Sequence, residues 1–165
     1  LLVMSTTDDY RTGKIVEGIK KAEIVLDNRA TYPIGDPAFE HVREKIVAFK
    51  PVWVTAEQAV ELIRQAEMVA VGERVCRVLH PESPVTQTVF LDELAEAMAE
   101  AGKAGIVSAA EAERIVNRQS RQRFIASMVS GRYLELCAAW PPDCVFCKAE
   151  RAGVRCFGEH PDSRI

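Results

Sequence analysis

Four of the five cysteines in this 165-residue chain crowd into its closing stretch, at Cys137, Cys144, Cys147 and Cys156, in the pattern C-x6-C-x2-C-x8-C. No other feature restricts the fold as much, because the chain there must accommodate whatever the sulfurs do. A thiolate is a soft ligand suited to zinc, Cu(I) or an iron–sulfur cluster. A C-x2-C pair brings two sulfurs to one metal without a long loop to close, and two flanking cysteines complete a set of four. Pro141-Pro142-Asp143 stiffens the chain between Cys137 and Cys144, and Lys148, Arg151 and Arg155 lie among the cysteines. Positive charge there favours thiolates and offsets the charge of a cluster. The spacing therefore predicts a four-thiolate metal or cluster site. Three other readings stand beside it: disulfides, a redox dithiol at Cys144-x2-Cys147, or thiols that are only small buried apolar groups. The x6 and x8 gaps match neither the usual zinc-finger nor the usual ferredoxin spacing.

A hydrophobic share of 48% supports a true core in one domain. The net charge of −3 offers no basic surface for nucleic acid or an anionic membrane. No apolar run approaches the ~18 residues of a membrane span. Leu1-Leu2-Val3-Met4 is too short for a signal-peptide core and lacks a basic lead, with Met4 the expected natural start. Four crowded thiols and an odd total fit a reducing compartment, so a cytoplasmic location is expected.

Periodicity predicts a first helix from the Asp8-Asp9 cap to about Leu26. A loop follows over Asn28 to Asp36, then a helix with Asp36 as cap and Pro37 at its first turn, reaching about Phe49. Val52-Trp53-Val54 reads as a short extended piece. Thr55 and Gln58 form a capping box for a helix to about Ala66, and Ser108 with Glu111 forms a second. Met68 to Gly72 fits a buried strand or more helix equally well. Thr88 to Gly102 reads as one helix ended by glycine. Phe124 to Val129 and Arg132 to Cys137 flank Ser130-Gly131 as a hairpin that delivers Cys137 at its end. The tail from Phe157 is expected to fray, with His160 the reserve ligand. Cys76-x3-His80 has ligand-like spacing, but a loop His beside proline is more often a polar surface group. The expected class is α+β: a mainly α-helical single domain with a small β-hairpin leading into the cysteine-rich metal site. No P-loop, dinucleotide fingerprint, H-E-x-x-H or G-x-S-x-G is present.

The run Val69-Ala70-Val71-Gly72-Glu73-Arg74-Val75-Cys76-Arg77, then Pro81-Glu82-Ser83-Pro84 and Thr88-Val89-Phe90-Leu91, resembles small 4Fe-4S ferredoxin-like proteins of anaerobes and archaea. Their C-x-C-R motif follows an "AVG" run. The likeness continues through Gly102-Lys103-Ala104 and Val107 to Ala112 to the strand ending at Cys137. It covers about two-thirds of the chain, from Pro51 onward. Arg74, Pro81 and Thr88 stand where that family has cysteines, and none of them can replace a thiolate. The resemblance implies a lost first cluster, a lone Cys76, and one iron–sulfur site at Cys137, Cys144, Cys147 and Cys156. It divides the chain into an N-terminal helical arm, 1–50, and a helical ferredoxin-like domain, 51–165.

Two main functions follow as expectations. One is an iron–sulfur protein that passes electrons to a redox partner or serves as a subunit of an enzyme complex. The other is a protein-binding module with a structural zinc on the same cysteines. A third is an enzyme using Cys76 as nucleophile near Arg77 and His80.

Overall fold

The computed structural model describes residues 4–158. Its helices begin where the sequence supplies caps. Asp36 Oδ1 accepts from the Ala38 amide at 2.8 Å and opens α3, Pro37–Ala48. Thr55 and Gln58 exchange both capping-box hydrogen bonds at the start of α4, Ala56–Gln65. Ser108 accepts from the Glu111 amide at the head of α6, Ala109–Arg118, but the Glu111 side chain turns to Arg114 instead of closing the box. The predicted first helix is two helices, α1 at Thr7–Thr12 and α2 at Lys14–Asp27. Gly13 separates them with φ of 85°, a left-handed conformation that glycine adopts without a Cβ clash.

The main correction concerns the sheet. The expected fold is mainly helical with a small hairpin; among the described residues, seven helices instead accompany a six-stranded sheet. The strands are β1 Val52–Val54, β2 Val69–Glu73, β3 Gln87–Leu91, β4 Ala104–Val107, β5 Phe124–Val129 and β6 Arg132–Ala138. Their order is β1-β5-β6-β3-β2-β4, and every neighbouring pair is antiparallel. The predicted helix over Thr88 to Gly102 splits into β3 and α5, Asp92–Glu100. Asp92 makes the corner with φ of 48°, and its carboxylate accepts from the Glu67 and Met68 amides.

These strands escape a periodicity argument for a physical reason. Strand β3 is buried at four of its five residues, and such a short apolar run without alternation reads like one turn of buried helix. Four of the five strand pairings join segments distant in sequence, so no local turn announces them. The hairpin is the exception. Ser130 and Gly131 have φ of 51° and 82°, the pair of positive values that a two-residue type I′ turn requires. It joins β5 to β6 as predicted.

The sheet has two faces of different chemistry. Val52, Val54, Phe124, Ala126, Leu136 and Ala138 share one face by register. They join Ala59 and Ile63 of α4 and Ala112 and Val116 of α6 in the main core. The other face carries a row running Trp53, Ile125, Cys137 and Thr88, and beside it Ser127, Glu135 and Phe90. The last helix, α7 at Val145–Arg151, brings its residues against this second face.

The first fifty residues do not hang apart from the rest. Tyr10 and Ile15 sit in the main core. Ala22, Val25, Leu26, Phe39, Val42 and Ile46 of α2 and α3 build a second core with Val145, Ala149, Val154 and Cys156. The domain from 51 onward is correspondingly a sheet with helices packed on it, not a helical unit. The fraying expected from Phe157 does not hold for Phe157 and Gly158: the Phe157 ring stacks on Trp53 at 4.7 Å between centroids, and the Gly158 amide donates to the Pro51 carbonyl. His160 lies outside the described residues. Among the described residues, no helix is long and apolar enough to cross a membrane.

Candidate functional site

All five cysteines are free thiols, and four of them line two cavities beside the second face of the sheet. The first is a small cavity of about 50 Å³ bounded in part by Tyr10, Arg74, Cys76, Ser127, Glu135, Cys137 and Cys144. Strand β6 places Glu135 and Cys137 on the same face, two residues apart. The short 3-10 turn over Val75–Val78 after β2 supplies Cys76.

Arg74 is the largest polar group in this cavity and is 1% exposed. Its Nη2 donates to Asp143 Oδ1 at 2.6 Å and to Ser83 Oγ at 3.0 Å. Its Nε has no partner among the described residues. A buried guanidinium is tolerated only when paired and hydrogen-bonded, so Asp143 and Ser83 are what hold it there. Across the cavity the Tyr10 hydroxyl donates to Glu135 Oε1 at 2.7 Å, and Ser127 Oγ donates to the same oxygen at 3.3 Å. Burial raises the Glu135 pKa, and those two donors and Arg74 offset it only in part.

Burial dominates these thiols as well. It pushes Cys76 up to about 12 and Cys137 well above the ordinary thiol value, with Arg74 pulling the other way. The Cys137 thiol donates to the Ala138 carbonyl, which fits a neutral S–H. Cys76 is thus a poor nucleophile. His80 does not face it as a base either, since the ring Nε2 pairs with Glu23 Oε1 at 2.8 Å.

The second environment is an open cleft of about 510 Å³ lined by Trp53, Arg123, Pro141, Cys147, Glu150, Arg151, Arg155 and Phe157. Cys144 is the residue that caps α7 and Cys147 lies one turn on. The two thiols act on each other. The neighbouring Cys144 lowers the Cys147 pKa, burial opposes it, and the guanidiniums of Arg151 and Arg123 add to the lowering. The neighbouring Cys147 and burial raise Cys144 well above its ordinary value. Arg123 stacks over Trp53 with its guanidinium carbon 3.9 Å from the ring centroid.

Cys156 belongs to neither arrangement as an active thiol. Burial and the nearby Glu150 carboxylate push it up to about 12, and its S–H donates to the Phe146 carbonyl. Glu150 is itself occupied, with Oε1 accepting from the Cys156 and Phe157 amides.

Of the predicted ligands, Cys137 and Cys144 line the Arg74 cavity, Cys147 lines the cleft, and Cys156 is tied to a carbonyl. Among the described residues, no three Cys, His, Asp or Glu side chains are placed to hold one metal ion. Of the residues that shape the two sites, Trp53, Arg123 and Phe157 give no signal in the sequence, because strand pairing and a chain reversal bring them together. Arg74 has a faint signal, an arginine inside the apolar run Val69–Val75. The Tyr10–Glu135 contact spans 125 positions and has none. No family model matches the chain, and neither a curated protein nor a solved structure matches it.

Proposed function

We propose that this is a thiol-redox protein whose working centre is the Cys144–Cys147 dithiol. The observation that carries the reading is their placement one turn apart at the start of α7, where Cys147 lines an open cleft beside Arg123 and Arg151. A C-x2-C pair at the start of a helix is the arrangement of dithiols that close reversibly to a disulfide. On oxidation the two S–H groups give up two protons and two electrons and form one S–S bond. A disulfide-bearing substrate or redox partner accepts those electrons, and the reducing compartment this requires is the cytoplasm. Cys147 is the attacking sulfur, because it lines the cleft and has the lowered pKa of the two. Cys144 resolves the mixed disulfide from behind.

Equilibration in mixtures of oxidised and reduced dithiothreitol, followed by peptide mapping, tests this. A single disulfide between Cys144 and Cys147 is expected; a pairing that omits Cys147 contradicts it.

A second reading keeps the metal. An iron–sulfur cluster serving electron transfer, or a structural zinc, on Cys137, Cys144, Cys147 and Cys156 has one observation in its favour: Cys144 is electrostatically linked to each of the other three sulfurs. It also requires Cys137 and Cys156 to release their carbonyl partners. Metal analysis of anaerobically prepared protein, with a visible spectrum, separates the readings. Stoichiometric iron or zinc favours this one.

A further inference from the structure

We propose that the cleft in front of Cys147 is a binding site for an anionic low-molecular-weight disulfide, one that carries carboxylates on a compact carbon skeleton. The inference rests on the dithiol reading and adds the substrate class. A volume of about 510 Å³ is that of a small-molecule site and not of a protein-sized groove. Three guanidiniums, Arg123, Arg151 and Arg155, line it. Glu150 is the one carboxylate among the described lining residues, and two backbone amides already hold it. The cleft is therefore cationic on a chain whose net charge is −3.

The guanidiniums are also available. Arg123 has no carboxylate partner among the described residues, only the face of Trp53. Arg155 is 93% exposed and reaches Glu150 only at 4.0 Å. Arg151 spends one nitrogen on the Pro141 carbonyl and keeps the rest of its fork. Planar guanidinium forks match carboxylates in geometry as well as charge. Trp53 and Phe157, stacked on each other, give an apolar wall for the carbon skeleton between the charged ends.

The reaction balances without a further reagent. The Cys147 thiolate attacks one sulfur of the substrate disulfide, forming a Cys147–substrate S–S bond and releasing the first substrate thiolate. Cys144, giving its proton to solvent, attacks the Cys147 sulfur and releases the second. The substrate disulfide is reduced to two thiols, and the protein dithiol is oxidised to one disulfide. The chain then needs a thiol reductant of its own for the next cycle.

The test compares three disulfides on the full chain at low salt: oxidised glutathione, which is anionic, hydroxyethyl disulfide, which is neutral, and cystamine, which is cationic. A one-sign cleft raises encounter rates by about 10- to 1,000-fold. We therefore expect oxidised glutathione to outrun hydroxyethyl disulfide by roughly tenfold or more relative to the same ratio for free cysteine. Cystamine should be slowest, and the preference should shrink at high salt. In Arg123→Gln/Arg155→Gln the ratio should fall to that of free cysteine. A wild-type ratio equal to that of free cysteine overturns the substrate class and leaves the dithiol standing, whereas failure of all three to form the Cys144–Cys147 disulfide removes the dithiol reading itself. Calorimetry with unreactive S-methylglutathione on Cys147→Ser reads the site without chemistry. Millimolar or tighter binding that the double arginine variant loses supports the proposal, and absence of binding overturns it.

Discussion

The Arg74 cavity and the Cys147 cleft hold the same functional group under opposite rules. Both present sulfur next to guanidinium, and both lie on one face of one sheet. In the cavity, burial wins: the thiols of Cys76 and Cys137 stay protonated although Arg74 lies among them. The positive charge of Arg74 is already committed to Asp143 at 2.6 Å. In the cleft, a neighbouring thiol and free positive charge win: Cys147 is lowered although it is largely covered. The contrast teaches that a nearby arginine activates a thiol where its charge is not already neutralised by a carboxylate. It also separates two jobs, with the cavity holding the sheet to the C-terminal helix and the cleft available for chemistry.

Breaking the cavity should have the largest effect. Asp143→Ala leaves Arg74 buried without its counter-charge, and removal of one partner of a buried pair costs about 3–5 kcal/mol. Chemical denaturation should show a loss of that order. The double change Arg74→Met with Asp143→Leu should lose far less, since no orphan charge remains. If Asp143→Ala is as stable as the parent, the cavity is not the structural tie proposed here.

The next test sharpens the difference between the two sulfurs. Iodoacetamide at neutral pH should modify Cys147 at least ~10 times faster than Cys76 or Cys137, since the thiolate is the reacting form. Cys147→Ser should remove the fast phase, whereas Cys137→Ser should leave it. A smaller effect belongs to Arg151→Gln. Loss of that cation raises the Cys147 pKa, so alkylation at neutral pH should slow by roughly two- to fivefold.

The last effect is a pH dependence confined to the cavity. Glu135 has its folded pKa raised by burial, so the native state holds the proton more tightly than the unfolded chain. Its contribution to stability is complete below the unfolded pKa and is lost as pH rises through the folded one. Glu135→Gln keeps an oxygen for Tyr10 and Ser127 but cannot ionise. The variant should gain stability relative to the parent as pH rises from acid to neutral, and the two should converge in acid. A difference that does not change with pH would show that Glu135 does not titrate in this way.

Some of this was legible in the residues. The Asp36 and Thr55 caps, the Ser130-Gly131 hairpin and the placement of Cys137 near the end of β6 follow from local chemistry that acts over a few positions. Beyond the extended piece at Val52–Val54 and the hairpin, the sheet was not legible, because β2 and β3 are apolar runs without alternation. The thiol site was half legible. The C-x2-C spacing marks Cys144 and Cys147 as a pair, and their positions one turn apart at the start of α7 make them one. Spacing alone cannot tell that Cys137 sits over a cavity that Arg74 shares, or that the Cys156 thiol is spent on the Phe146 carbonyl. Those outcomes depend on which sheet face each sulfur meets.

The central claim is that two sulfurs, Cys144 and Cys147, act together while the other three stay silent. Native protein, equilibrated across a series of dithiothreitol redox ratios, trapped with acid and alkylated for mass mapping, tests it most directly. The account predicts one two-electron transition confined to Cys144 and Cys147, with Cys76, Cys137 and Cys156 reduced throughout. Oxidation that spreads to Cys137 or Cys156, or a chain whose four C-terminal sulfurs are all shielded by bound metal, would contradict it.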